Sequence, residues 1–87
     1  YLAFHDTHSP YEAPDQYLNP SINCSGRALM QGMLECVDEA TGKLVDALKA
    51  KGMWDNTLLV WSSDNGGPQY WQGNNYPLRG GKGTNFE

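Results

Sequence analysis

The stretch Thr57-Leu58-Leu59-Val60-Trp61-Ser62-Ser63-Asp64-Asn65-Gly66-Gly67 decides how the fold is read. Its first half is β-branched, aliphatic and aromatic with no polar alternation, the pattern of a strand covered on both faces. Its second half turns to Asp, Asn and paired Gly, so the chain leaves that strand through a polar loop. Just upstream, Leu29, Met33, Val37 (or Cys36), Ala40, Leu44 and Leu48 recur every three or four residues, which aligns them on one helical face. Gln31, Glu35, Asp38, Glu39, Lys43, Asp46 and Lys49 fill the other face. Ser25 is placed to cap the start of this helix and Gly52 to stop it, with Lys49 and Lys51 suited to its negative end. Gly32 and Gly42 interrupt the pattern at a cost of roughly 1 kcal/mol each relative to Ala, which close packing could justify.

Working outward, residues 1–5 form a second apolar segment that reads as a strand and ends at the polar run His5-Asp6-Thr7-His8. Residues 9–24 contain Pro10, Pro14 and Pro20, so a surface loop with at most a short turn is expected there. A turn follows the helix at Trp54-Asp55-Asn56. Strand, long helix and buried strand in this order imply an α/β fold with a mostly parallel sheet flanked by helices. Ligands of such sheets sit beyond the carboxyl ends of the strands, which directs attention to the loop from Asp64 onward. The chain opens inside an apolar segment and closes inside a loop, so residues 1–87 are expected to be an internal fragment of one larger domain.

Composition narrows the partners. A formal net charge of −4 disfavours a general nucleic-acid binder, which needs a basic face for phosphates. The longest apolar run, Leu58–Trp61, falls far short of the roughly 20 residues that span a bilayer. Cys24 and Cys36 define neither a disulfide framework nor a zinc site, and their redox state is open. Asn23-Cys24-Ser25 is a glycosylation sequon that matters only in a secreted chain.

Three groups of residues could carry chemistry. Asp64-Asn65-Gly66-Gly67 offers two hard oxygen donors suited to calcium or magnesium, although the same residues are the usual makings of a turn. Leu78-Arg79-Gly80-Gly81-Lys82-Gly83 offers cations within a glycine loop, either for an anion or as a solvated surface. It does not match the Walker spacing. His5-Asp6-Thr7-His8-Ser9-Pro10 places two histidines after a strand without the further ligands zinc requires. Together the groups combine a hard-metal site with positive anion donors, which is what hydrolysis of a charged ester needs.

At these residues the chain resembles the sulfatase family of the alkaline-phosphatase-like superfamily, in its arylsulfatase B-like branch. The resemblance spans the whole chain. It rests on Leu2-Ala3-Phe4 with His8-Ser9-Pro10, on Met33 through Leu48, and on Trp54-Asp55-Asn56-Thr57. Its two specific blocks are Ser62-Ser63-Asp64-Asn65-Gly66-Gly67 and Asn74-Asn75-Tyr76-Pro77-Leu78-Arg79-Gly80-Gly81-Lys82-Gly83. The resemblance implies that Asp64 and Asn65 ligate a divalent cation, usually calcium. It likewise implies that Lys82 and His8 contact the sulfate, with catalytic and substrate-binding roles. His5 and Arg79 match no active-site position. The family's formylglycine arises from Cys/Ser-x-Pro-x-Arg, which neither Cys24-Ser25-Gly26-Arg27 nor the sequence after Cys36 provides. The nucleophile is therefore expected upstream, outside this chain, and the isolated fragment is expected to be inactive. The implied substrate is a sulfated small molecule or glycan, and the implied location is secreted, lysosomal or periplasmic. Two other readings stand beside this one: a phosphate or phosphonate ester hydrolase of the same superfamily, and a non-catalytic binder of calcium or sulfated glycans.

Overall fold

The computed structural model describes residues 1–18, 26–71 and 73–86. Its one long element among them is helix α1, Gly26–Ala50, followed and preceded by short 3-10 turns at Asp15–Tyr17, Trp54–Asn56 and Gln69–Trp71. The helix lies where the three-to-four residue spacing places it. Met33 and Val37 on the apolar face are 3% and 6% exposed, and every polar residue assigned to the opposite face is exposed. Ser25, the expected N-cap, lies outside the described residues, as do Cys24 and the sequon at Asn23.

The helix ends as its sequence requires. The N–H of Gly52 donates to the carbonyl of Lys49 and that of Met53 to the carbonyl of Leu48, each at 3.0 Å. This pair of bonds is the Schellman arrangement, which needs a left-handed residue at its closing position. Gly52 supplies it with φ of 65°. The chain then turns through Trp54–Asn56 as expected, with the Thr57 hydroxyl donating to the Met53 carbonyl at 2.7 Å.

Helix α1 packs against the 3-10 turn at Asp15–Tyr17, and Gly32 permits the approach. A Cβ on Gly32 would lie 2.9 Å from the Tyr17 carbonyl oxygen and 3.0 Å from the Ala13 Cβ. The other helical glycine behaves differently: nothing lies within 4 Å of a Cβ placed on Gly42. Close packing therefore accounts for Gly32 and not for Gly42. Across the same junction Tyr17 donates its hydroxyl to Glu39, which also pairs with Lys43 one turn further along.

The expected sheet does not form among the described residues. Residues 1–5 and 57–63 carry no strand, although the two segments lie side by side, with the Phe4 and Trp61 rings 6.3 Å apart and tilted by 39°. The physical reason is a lack of partners. A parallel sheet needs strands on either side and cover on both faces, and two strands alone are at best marginal. Here Leu58 is 88% exposed and Val60 76% exposed. The radius of gyration is 15.4 Å, against about 12 Å for a compact domain of this length.

Candidate functional site

The candidate site is built from three loops, two of which meet at Gly67 while the third reaches them through Trp71. The first leaves the 57–63 segment through a bend at Asp64 and Asn65. Ser63 shapes this bend by donating its hydroxyl to the Asn65 carbonyl at 2.6 Å. Asn65 turns its Nδ2 back to the Gly66 carbonyl at 2.8 Å, which leaves Oδ1 as its outward acceptor. The Asp64 carboxylate is exposed, and no hydrogen bond or ion pair engages it among the described residues.

The second loop, 73–86, folds directly onto the first. Gly67 donates its N–H to Asn75 Oδ1 at 2.8 Å and accepts from the Lys82 N–H at 3.3 Å. The glycines exist for this contact. A Cβ on Gly81 would lie 2.8 Å from the Gly67 carbonyl oxygen, and one on Gly66 would lie 2.9 Å from Gly81 backbone atoms. Glycine was expected here for approach to a ligand, and the structure adds the approach of one backbone to another. Within the second loop, Thr84 returns its N–H to the Gly81 carbonyl at 3.1 Å, and its hydroxyl lies 3.0 Å from the Gly81 N–H. That turn holds Lys82 at its tip, with Gly83 at φ of 85°. The Lys82 side chain is exposed and borders an open cleft of about 280 Å³ with Gly67, Gln69, Gly80, Gly81 and Thr84.

The third loop carries His8. Tyr11 ties it to the others by donating its hydroxyl to the Trp71 carbonyl at 3.1 Å. His8 Nδ1 lies 2.9 Å from the Ser9 carbonyl oxygen. A carbonyl only accepts, so Nδ1 carries a proton and Nε2 is the nitrogen left for any further partner. The His5 ring stands edge-on at 6.1 Å. No bond joins His8 to Asp64, Asn65 or Lys82 among the described residues.

The structure thus brings the Asp64-Asn65 bend and the Lys82 turn together through Gly67, and connects the His8 loop one step removed. The donor set suits a hard divalent cation in kind, a carboxylate and an amide oxygen. It falls short in number: no group of three or more His, Cys, Asp or Glu side chains could hold a metal among the described residues. Arg79 sits over the Phe86 ring at 5.0 Å. Sequence reasoning passed over Asn75, Gln69 and Thr84 as site residues, because a neutral polar residue in a loop carries no signal until the loop's partner is known.

The chain belongs to the sulfatase family, whose sequence model matches residues 1–87. It is 43% identical to mouse arylsulfatase J over 100% of its own length and 15% of that protein's. It is 32% identical to rat N-acetylgalactosamine-6-sulfatase over 100% of this chain and 17% of the relative. An uncharacterised sulfatase of Escherichia coli K12, YdeN, is 33% identical over 76% of the chain and 12% of the relative. The chain therefore spans less than a fifth of the length of these relatives. No solved structure is significantly similar to it. Membership of the family implies the alkaline-phosphatase-like fold, a divalent cation and a formylglycine nucleophile in general terms. No helix among the described residues is long and apolar enough to cross a membrane.

Proposed function

We propose that residues 1–87 are an internal part of a single sulfatase catalytic domain and that the whole protein hydrolyses sulfate esters of carbohydrates. Asp64 and Asn65 would hold the divalent cation, with calcium favoured by their hard oxygens and completed by oxygens from outside this chain. The cation would supply charge neutralisation at the sulfate. Lys82 binds a nonbridging sulfate oxygen and offsets the negative charge that grows as the S–O bond breaks. His8 donates a second hydrogen bond to the sulfate from Nε2. Because Nδ1 is already committed to Ser9, that donation requires the cationic imidazole. The nucleophile comes from a formylglycine elsewhere in the protein.

One observation carries the reading above the rest: the Lys82 N–H bonded to Gly67, two residues after Asn65, which joins the cationic turn to the oxygen-bearing bend. The match to N-acetylgalactosamine-6-sulfatase supports a sugar sulfate as substrate. The exposed apolar run of residues 58–61 and the large radius of gyration support a segment that more of the same domain covers.

The test is turnover of an aryl sulfate by the complete protein carrying Lys82→Ala. A fall in kcat of about 10²–10³ is expected for loss of one charge-stabilising group. Wild-type turnover would remove Lys82 from the reaction.

A further inference from the structure

We propose that Asn75 is a positioning residue of this site, fixing the placement of Lys82 through Gly67. The inference rests on the reading of Lys82 as the sulfate contact and adds a residue to it. Asn75 touches no reacting group. Its Oδ1 accepts from the Gly67 N–H at 2.8 Å, and the Gly67 carbonyl accepts from the Lys82 N–H at 3.3 Å. Two hydrogen bonds therefore lead from the Asn75 amide to the Lys82 backbone. The amide also covers the start of the first loop, since a Cβ on Gly66 would come within 2.5 Å of Asn75 Nδ2.

Asn75 is itself braced. Its carbonyl accepts from the Leu78 N–H at 2.8 Å, and the adjacent Asn74 Oδ1 accepts from the Tyr76 N–H at 2.8 Å. The side chain is half-buried, where an unmade backbone hydrogen bond is costly. The chemistry also selects an amide. An apolar side chain would leave the Gly67 N–H unpaired, and a carboxylate would add negative charge close to Asp64 and to the anion bound by Lys82.

The experiment is a double-mutant cycle in the complete holoenzyme, measuring the Kd of inorganic sulfate by titration calorimetry, a readout that needs no turnover. Asn75→Ala is expected to weaken sulfate binding about five- to tenfold when Lys82 is present and less than about twofold when Lys82→Ala is already in place. Equal losses in both backgrounds, or none in either, overturn the role of Asn75 while leaving that of Lys82 intact. Unchanged sulfate binding by Lys82→Ala alone instead overturns the reading of Lys82, and this inference with it. Asn75→Gln keeps the amide but moves it by one methylene. It runs through the same cycle with the same expected coupling should Asn75→Ala fail to fold.

Discussion

The N–H of Lys82 donates to the carbonyl oxygen of Gly67 at 3.3 Å, and a Cβ on the intervening glycine, Gly81, would stand 2.8 Å from that same oxygen. Gly81→Ala therefore cannot be accommodated by moving a side chain, because the obstacle is backbone. The two loops must part. In the complete protein the substitution is expected to cost about 1–3 kcal/mol in stability, the usual range for an overpacked contact. Aryl sulfate turnover should fall with it, because Lys82 shifts away from the Asp64-Asn65 bend. Normal kcat/KM and an unchanged unfolding midpoint would show that the loops do not meet this way.

The two helical glycines should respond in opposite directions. Gly32→Ala drives a methyl group to within 2.9 Å of the Tyr17 carbonyl, so the contact between α1 and the 3-10 turn has to open. Destabilisation of about 1–3 kcal/mol is expected despite the better helix propensity of Ala. Gly42→Ala meets nothing within 4 Å and should stabilise by up to about 1 kcal/mol. Thermal unfolding of the two variants decides the matter, and a shared sign would contradict the packing described.

The Tyr17–Glu39–Lys43 group links helix to turn and should leave a trace in the dependence of stability on pH. Lys43, and secondarily the Tyr17 hydroxyl, hold the Glu39 carboxyl below its ordinary value of 4.5. Its contribution is therefore present above pH 4.5 and is lost as pH falls through the lowered value. The hydrogen bond to Glu39 raises Tyr17 above 10.0, and Glu39 raises Lys43 above 10.5. Their contributions hold below those values and fade as pH rises through the raised ones. All three side chains meet solvent, so the effect is small and weakens with salt. Glu39→Gln should flatten the unfolding midpoint against pH at both extremes; a profile parallel to wild type would dismiss the linkage.

Leu58 tests the larger architecture. It is 88% exposed here, and in this setting Leu58→Asp should change stability by no more than about 0.5 kcal/mol. In a complete domain that covers the 57–61 segment, the same change buries an unpaired carboxylate, at a cost above about 3 kcal/mol. Denaturant unfolding of the complete variant separates the two cases, and a near-neutral result would count against a covered strand.

The helix was legible in the sequence because its information is local. The spacing marks the face that buries Met33 and Val37, although Leu44 further along it stays exposed, and Gly52 marks the stop through its own backbone preference. The turns at Asp15–Tyr17 and Trp54–Asn56 follow from nearby residues in the same way. Residues 57–63 have the composition of a strand, but a strand is a relationship between segments, and the described residues contain no ladder partner for it. The site divides similarly. Asp64, Asn65 and Lys82 could be singled out because their side chains have distinctive chemistry. Asn75 could not, since its importance comes from Gly67, eight residues away and brought near only by folding.

Gly67 is bonded on its N–H to one side of the second loop and on its carbonyl to the other. These two bonds tie the bend to the turn, so on the proposed reading an arriving anion would meet a preassembled pair of loops. The loss of chain freedom is incurred when the polypeptide folds, so association itself need not bear it. On that reading, a residue with no side chain would help set how tightly the anion is gripped.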